Sequence, residues 1–167
     1  MFVPFVGAWI ALKEMPMSVE TEAYVAIAGP IAGTVAAFAV YFYGRDTGQG
    51  LYLALAYAGF FLNLFNLLPL SPLDGGRITA ILSPRIWFVG VPLLLGMMLY
   101  QPSPMLVVIA VLAIPHVLHA WRGEAPRPDY YAVSAETRLE YALMYLGLAI
   151  LLALMTYRLH AELSGTG

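Results

Sequence analysis

Residues 63–77 read NLFNLLPLSPLDGGR and interrupt a long apolar run. Two prolines in this stretch remove backbone donors and two glycines loosen a helix, so an unbroken helix is not expected here. Two Asn side chains and the carboxylate of Asp74 add polar groups at or near membrane depth, where they are costly unless a site needs them. Asp74 is therefore a candidate functional residue. The alternative that stays open is that Asp74 caps a helix beginning at Gly75, with Pro69 and Pro72 shaping a loop at the water boundary.

The composition around this stretch is that of an integral membrane protein. Of the 167 residues, 61% are hydrophobic and 11% are charged, and the mean hydropathy is +0.78. The formal net charge of -2 excludes a basic nucleic-acid footprint, so no nucleic-acid partner is expected. The chain has no cysteine, which excludes disulfides, thiolate metal sites and a cysteine nucleophile.

Hydropathy and helix breakers predict an all-α membrane protein, a polytopic bundle of about five transmembrane helices in one domain over residues 1–167. Pro4 and Gly7 break the first apolar residues, which favours a short extended, hairpin or re-entrant segment at 1–17. The predicted spans are 23–43, 51–68, 86–100, 105–121 and 139–157, with the motif segment at 69–85. In the first span, Gly29 and Gly33 form a G-x-x-x-G pattern that is typical of a close helix-packing face.

The basic residues predict the orientation of this bundle, because Lys and Arg accumulate in short cytoplasmic loops. With five crossings, one side carries most of them: Lys13, Arg77, Arg85, Arg122, Arg127 and Arg138. Only Arg45 and Arg158 fall on the other side. The first side should therefore be cytoplasmic, which also places Asp74 at the cytoplasmic end of its helices.

Asn63 and Asn66 are three residues apart and would share one face of the second predicted span. A shared face indicates a shared pocket. The alternative is that one of the two amides, and more readily that of Asn63, hydrogen-bonds a neighbouring helix and holds the bundle together.

The pattern NxxPxxPLDG at residues 66–75 resembles the second signature of the site-2 protease family of intramembrane zinc metalloproteases. The resemblance extends to ETEAY at 20–24 and AGP at 28–30, and so covers most of the chain up to about residue 85. It implies that Asp74 is a zinc ligand and that Asn66 lies near the bound water or the scissile carbonyl as a catalytic residue. It also implies membrane-spanning protein substrates. A minor departure is Gly33, where many members of the family carry Asn.

The larger departure is the absence of the family's first motif, His-Glu-x-x-His, which places two zinc ligands and a general base on one helix. The histidines of this chain are His116, His119 and His160, and none is followed by Glu. His116 and His119 are spaced so that they could face one metal. Their position beside Pro115 and Trp121 favours an interfacial role instead. We therefore expect a chain that lacks the catalytic helix and is inactive alone.

The leading hypothesis is that the chain is a site-2-type zinc protease, a multi-pass protein of the bacterial inner membrane that acts in regulated intramembrane proteolysis. In this hypothesis the chain is truncated before the first motif. A second hypothesis is a proteolytically inactive membrane protein that binds membrane helices. A third takes the break at 69–76 as a transporter-like ion site. The third is disfavoured because the two halves of the sequence show no obvious internal repeat.

Overall fold

The computed structural model describes residues 2–3, 7–8, 18–100, 102–123 and 129–165. Within these residues the chain is almost entirely helical. The helices are α1 (Val19–Thr47), α2 (Gly50–Asn66), α3 (Asp74–Ala80), α4 (Trp87–Tyr100), α5 (Pro104–Arg122) and α6 (Ala135–Gly165), with a 3-10 turn (Pro84–Ile86) before α4. Two short strands, β1 (Phe2–Val3) and β2 (Gly7–Ala8), pair antiparallel. Most of the segment 1–17 lies outside the described residues, so the hairpin or re-entrant segment stays a prediction.

Three helices, α1, α5 and α6, are long and apolar enough to cross a membrane, which fits an integral membrane protein. Two further apolar helical stretches are shorter, namely α2 and the residues from Pro84 to Tyr100. Large apolar side chains on these helices point outward, as a lipid-facing surface requires; Leu99 of α4 is 88% exposed and Tyr157 of α6 is 73% exposed. The apolar exterior of the bundle therefore agrees with an integral membrane protein.

The helices extend beyond the predicted spans at most of their ends, because polar flanking turns continue the helix. α1 begins at Val19 rather than at 23, since the Ser18 side chain accepts a hydrogen bond from the Thr21 N–H at 3.3 Å and Glu20 and Glu22 occupy the first turn. It ends at Gly48, whose φ of 67° is left-handed. α6 likewise covers 31 residues.

α1 and α2 form an antiparallel hairpin joined by residues 48–49. The register follows from close approaches along the pair: the Asn63 side chain fills the space beside Gly33, and a Cβ on Gly59 would lie 3.1 Å from the Cβ of Ala37. The close approach of the two helices is therefore at Gly59 and Ala37, whereas Gly33 of the G-x-x-x-G pattern makes room for the Asn63 side chain.

α6 packs on the other side of α2, and a separate α4–α5 hairpin contacts the rest of the bundle chiefly through α3 and the 3-10 turn. At one end of the bundle Arg45 and Glu162 form an ion pair at 2.6 Å. At the opposite end the Val19 N–H donates to the Tyr130 carbonyl at 3.1 Å. α3 lies at this second end and packs mainly against α1.

Candidate functional site

The chain leaves helical geometry over residues 67–73, here called the broken segment. Its backbone groups are satisfied locally: the Leu68 N–H donates to the Phe65 carbonyl at 3.1 Å, and the Leu73 N–H donates to the Leu70 carbonyl at 2.9 Å. Irregular backbone near membrane depth is tolerated when protein covers it and supplies such partners. The prediction of a helix break between the two prolines is confirmed.

α3 begins at Asp74, directly after the break, and ends at Ala80, within the motif segment 69–85. Gly75 and Gly76 face the broken segment so closely that a Cβ on either would collide with backbone atoms, those of Leu67 at Gly75 and those of Leu70 and Ser71 at Gly76. Only glycine allows this approach. The two glycines therefore fold α3 back onto the segment that precedes it.

Side chains from distant parts of the sequence hold this arrangement in place. The Tyr145 hydroxyl of α6 donates to the Leu67 carbonyl at 2.6 Å, and the Trp87 ring N–H donates to the Gly76 carbonyl at 2.8 Å. Arg138 donates to the Leu82 carbonyl at 2.8 Å. Sequence analysis missed all three residues, because nothing in their local pattern indicates which carbonyl they reach.

Asp74 lies in the first turn of α3 with its carboxylate against α1. A Cβ on Gly29 would lie 3.6 Å from Asp74 Oδ2, an ordinary van der Waals distance. The N-cap position is Leu73, and Asp74 provides no capping hydrogen bond, so the capping alternative is wrong as stated. Burial raises the pKa of the Asp74 carboxyl, and the nearby charge of Arg77 opposes this shift. The carboxylate is half-buried and forms no hydrogen bond with the described residues.

The two Asn residues lie at the end of α2, with Asn66 as its last residue. The Asn63 amide donates to the Gly59 carbonyl at 2.8 Å, so it bonds within its own helix rather than to a neighbour. Its side chain also occupies the space that a side chain at Gly33 would need. Asn66 is half-buried and its amide forms no hydrogen bond with any residue that the structure describes.

His116 and His119 line a cavity of about 470 Å³ at the same end of the bundle, here called the interfacial cavity. Its lining also includes Glu22, Ser71, Arg77, Trp87 and Tyr130. The His116 ring meets the Trp87 ring edge-on at 6.0 Å, in agreement with a polar tip among aromatics. Burial raises the pKa of the Tyr130 hydroxyl, and its hydrogen bond to Glu22 raises it further.

Zinc in a catalytic site needs three protein ligands and an open position. Across the described ranges, no group of three His, Asp or Glu side chains could hold a metal ion. Asp74 contributes one carboxylate against Gly29, whereas the two histidines belong to the interfacial cavity, whose lining does not include Asp74. The described residues therefore do not provide the three ligands of a catalytic zinc site by themselves.

Comparison of the chain with protein-family models, with curated proteins and with solved structures found no match. The assignment of a function therefore depends on the residues and geometry of the site itself.

Proposed function

We propose that this chain is the Asp74-bearing part of a site-2-type intramembrane zinc metalloprotease that cleaves membrane-embedded protein substrates. The observation that carries the proposal is the Asp74 carboxylate, half-buried against α1 directly after a broken segment and without a hydrogen-bond partner among the described residues. A carboxylate in such a place is costly unless a ligand or a reaction uses it. In this proposal Asp74 is one metal ligand, and an element bearing His-Glu-x-x-His supplies the other two.

Asn66 is proposed as the polar group that contacts the substrate backbone or its developing oxyanion. It ends α2 immediately before the broken segment, and its amide has no partner in the part of the chain that the structure describes. An amide without an internal partner is able to donate to a bound peptide. Asn63, in contrast, already donates to the Gly59 carbonyl.

We further propose five membrane crossings in a bacterial inner membrane, with the Asp74 end cytoplasmic. α2 has 17 residues, which at the helical rise of about 1.5 Å per residue is close to the lower limit for a span. α1 runs from one end of the bundle, where the Val19 N–H bonds the Tyr130 carbonyl, to the other end, where Arg45 pairs with Glu162. This arrangement supports helices that cross in alternate directions. Arg77, Arg85 and Arg138 gather at the second end.

The proposed function is tested by co-expressing this chain with a membrane segment that bears His-Glu-x-x-His and measuring cleavage of a membrane-spanning reporter. Cleavage should require both parts and should be abolished by Asp74→Asn, because the amide is a poor zinc ligand. The matched control is Asp46→Asn at the exposed end of α1, which should cleave normally. Cleavage that survives Asp74→Asn, or no cleavage when both parts are present and folded, would contradict the proposal.

A further inference from the structure

The interfacial cavity holds a polar group that the fold itself does not use. Ser71 lines the cavity and is 5% exposed, yet its hydroxyl forms no hydrogen bond with any described residue. The Ser71 hydroxyl is therefore available to hydrogen-bond a molecule in this cavity of about 470 Å³.

Arg77 and His116 stand beside Ser71 in the cavity lining. The Arg77 guanidinium is exposed and forms no hydrogen bond with the described residues, so its donors are available to an oxyanion. His116 Nδ1 lies 3.0 Å from the Leu112 carbonyl. Since a carbonyl only accepts, Nδ1 carries the proton, and Nε2 is the nitrogen left for a ligand.

Glu22 brings a negative charge to the same cavity, opposite in sign to the charge of Arg77, and Tyr130 also lines the cavity. The Glu22 carboxylate lies near the Tyr130 hydroxyl, and its oxygens can accept hydrogen bonds from a cation. Trp87, Tyr130 and Tyr131 add aromatic rings that attract an ammonium group. Among the described Asp, Glu, Lys and Arg side chains of the lining, Glu22 carries the negative charge and Arg77 the positive charge, which complements a zwitterion rather than a simple anion.

The position of the cavity indicates where such a zwitterion comes from. The cavity lies at the ends of the helices, with α5 supplying His116, His119 and Ala120. The same helix exposes large apolar side chains to the lipid, including Ile114 at 55% and Leu118 at 49%. Acyl chains can lie along this surface while a headgroup occupies the cavity.

We propose that the interfacial cavity binds the phosphoethanolamine headgroup of a membrane phospholipid, with the phosphate at Arg77 and Ser71 and the ammonium at Glu22. This site does not involve Asp74, and the proposal does not depend on protease activity. A lipid held between α1, α3 and α5 would tie the α4–α5 hairpin to the rest of the bundle, to which it is joined chiefly through α3.

The test is calorimetric titration of the full chain in detergent micelles with dihexanoyl phosphatidylethanolamine, dihexanoyl phosphatidylglycerol and soluble O-phosphoethanolamine. We expect saturable binding of the ethanolamine lipid, with the glycerol lipid and the soluble headgroup each about tenfold weaker, since one lacks the ammonium and the other lacks acyl contacts. Binding that does not saturate, equal binding of the glycerol lipid, or equal binding of the soluble headgroup would each overturn the proposal.

Variants locate the two charges of the headgroup. Arg77→Gln should weaken both lipids about tenfold, whereas Glu22→Gln should weaken only the ethanolamine lipid. Gln has nearly the size and shape of Glu, and Arg77 makes no hydrogen bond with the described residues, so both variants should keep the fold. The control is Arg158→Gln, an exposed arginine in α6 near the opposite end, which should bind as the unchanged chain does. If Arg77→Gln behaves like this control, the site is wrong.

Discussion

The Asn63 side chain of α2 occupies the space beside Gly33 of α1 where any other residue would place its Cβ. One helical turn earlier, Gly29 borders the Asp74 carboxylate less closely, since a Cβ at that position would lie at an ordinary van der Waals distance of 3.6 Å from Oδ2. Of the two glycines of the G-x-x-x-G pattern, Gly33 therefore accommodates a polar side chain that any larger residue would displace.

The first prediction concerns Gly33. A methyl group at this position must displace the Asn63 amide, which would lose its hydrogen bond to the Gly59 carbonyl. Gly33→Ala should therefore lower the free energy of unfolding by about 1 kcal/mol, whereas Gly29→Ala, which meets only an ordinary contact, should have a smaller effect. The measurement is SDS titration in mixed micelles. The double variant Gly33→Ala/Asn63→Ala should recover part of the loss; no recovery would contradict the steric explanation.

The second prediction uses the contrast between two helical glycines. Gly76→Ala places a methyl group against the Ser71 and Leu70 backbone, which cannot move aside as a side-chain tip would. We expect a loss of about 1–3 kcal/mol in unfolding free energy and a displaced α3. Gly147→Ala in α6 is the matched control, since a Cβ there meets nothing within 4 Å. It should be neutral or slightly stabilising because alanine favours helix. Equal effects at the two positions would contradict this reading of the break.

The third prediction concerns the hydroxyl that connects α6 to the broken segment. Tyr145→Phe removes the hydrogen bond to the Leu67 carbonyl and leaves that carbonyl without this partner. The loss should be about 1 kcal/mol in unfolding free energy, with the ring packing unchanged. Tyr157→Phe, at an exposed position of the same helix, is the control and should unfold like the unchanged chain. The same SDS titration measures both variants.

Sequence patterns predicted the helical segments and the break, and missed what holds them together. Hydropathy finds the apolar centre of each helix, so the second predicted span, 51–68, corresponds to α2 at Gly50–Asn66. Proline and glycine locate the break because their effect on the backbone is local. Contacts such as Tyr145 to Leu67 join residues far apart in sequence, and no periodicity encodes them. The ends of α1 and α6 were missed for another reason: hydropathy does not register a polar turn that remains helical.

The candidate site was predicted only in its residue types. Asp74 and Asn66 stand out because polar groups are rare in an apolar chain, and the structure places them on either side of the broken segment. The interfacial cavity was not foreseen. Its polar lining comes from several separate parts of the sequence, including Glu22, Ser71 and His116, which only the folded chain brings together.

The fourth prediction concerns topology, and the lack of native cysteine makes it simple to test. With five crossings and the Asp74 end in the cytoplasm, a cysteine at Thr47 should react with an impermeant thiol reagent added to intact cells. A cysteine at Glu136, an exposed residue in the first turn of α6, should react only after the membrane is opened. The reverse pattern would invert the orientation, and labelling of both positions from outside would exclude an odd number of crossings between them.

The last prediction concerns metal. Asp74 is one carboxylate where zinc needs three protein ligands, and removing ligands forfeits most of the binding free energy. The chain alone should therefore lose zinc on washing with a chelator, whereas the chain joined to a helix bearing His-Glu-x-x-His should retain about one zinc per molecule. Asp74→Ala should weaken that retention, and His116→Ala and His119→Ala should not, because these histidines line the interfacial cavity instead. The measurement is the zinc content of the purified protein after washing. If the chain alone retains zinc and loses it on substitution of either histidine, the metal site lies on α5 and the assignment to Asp74 is wrong.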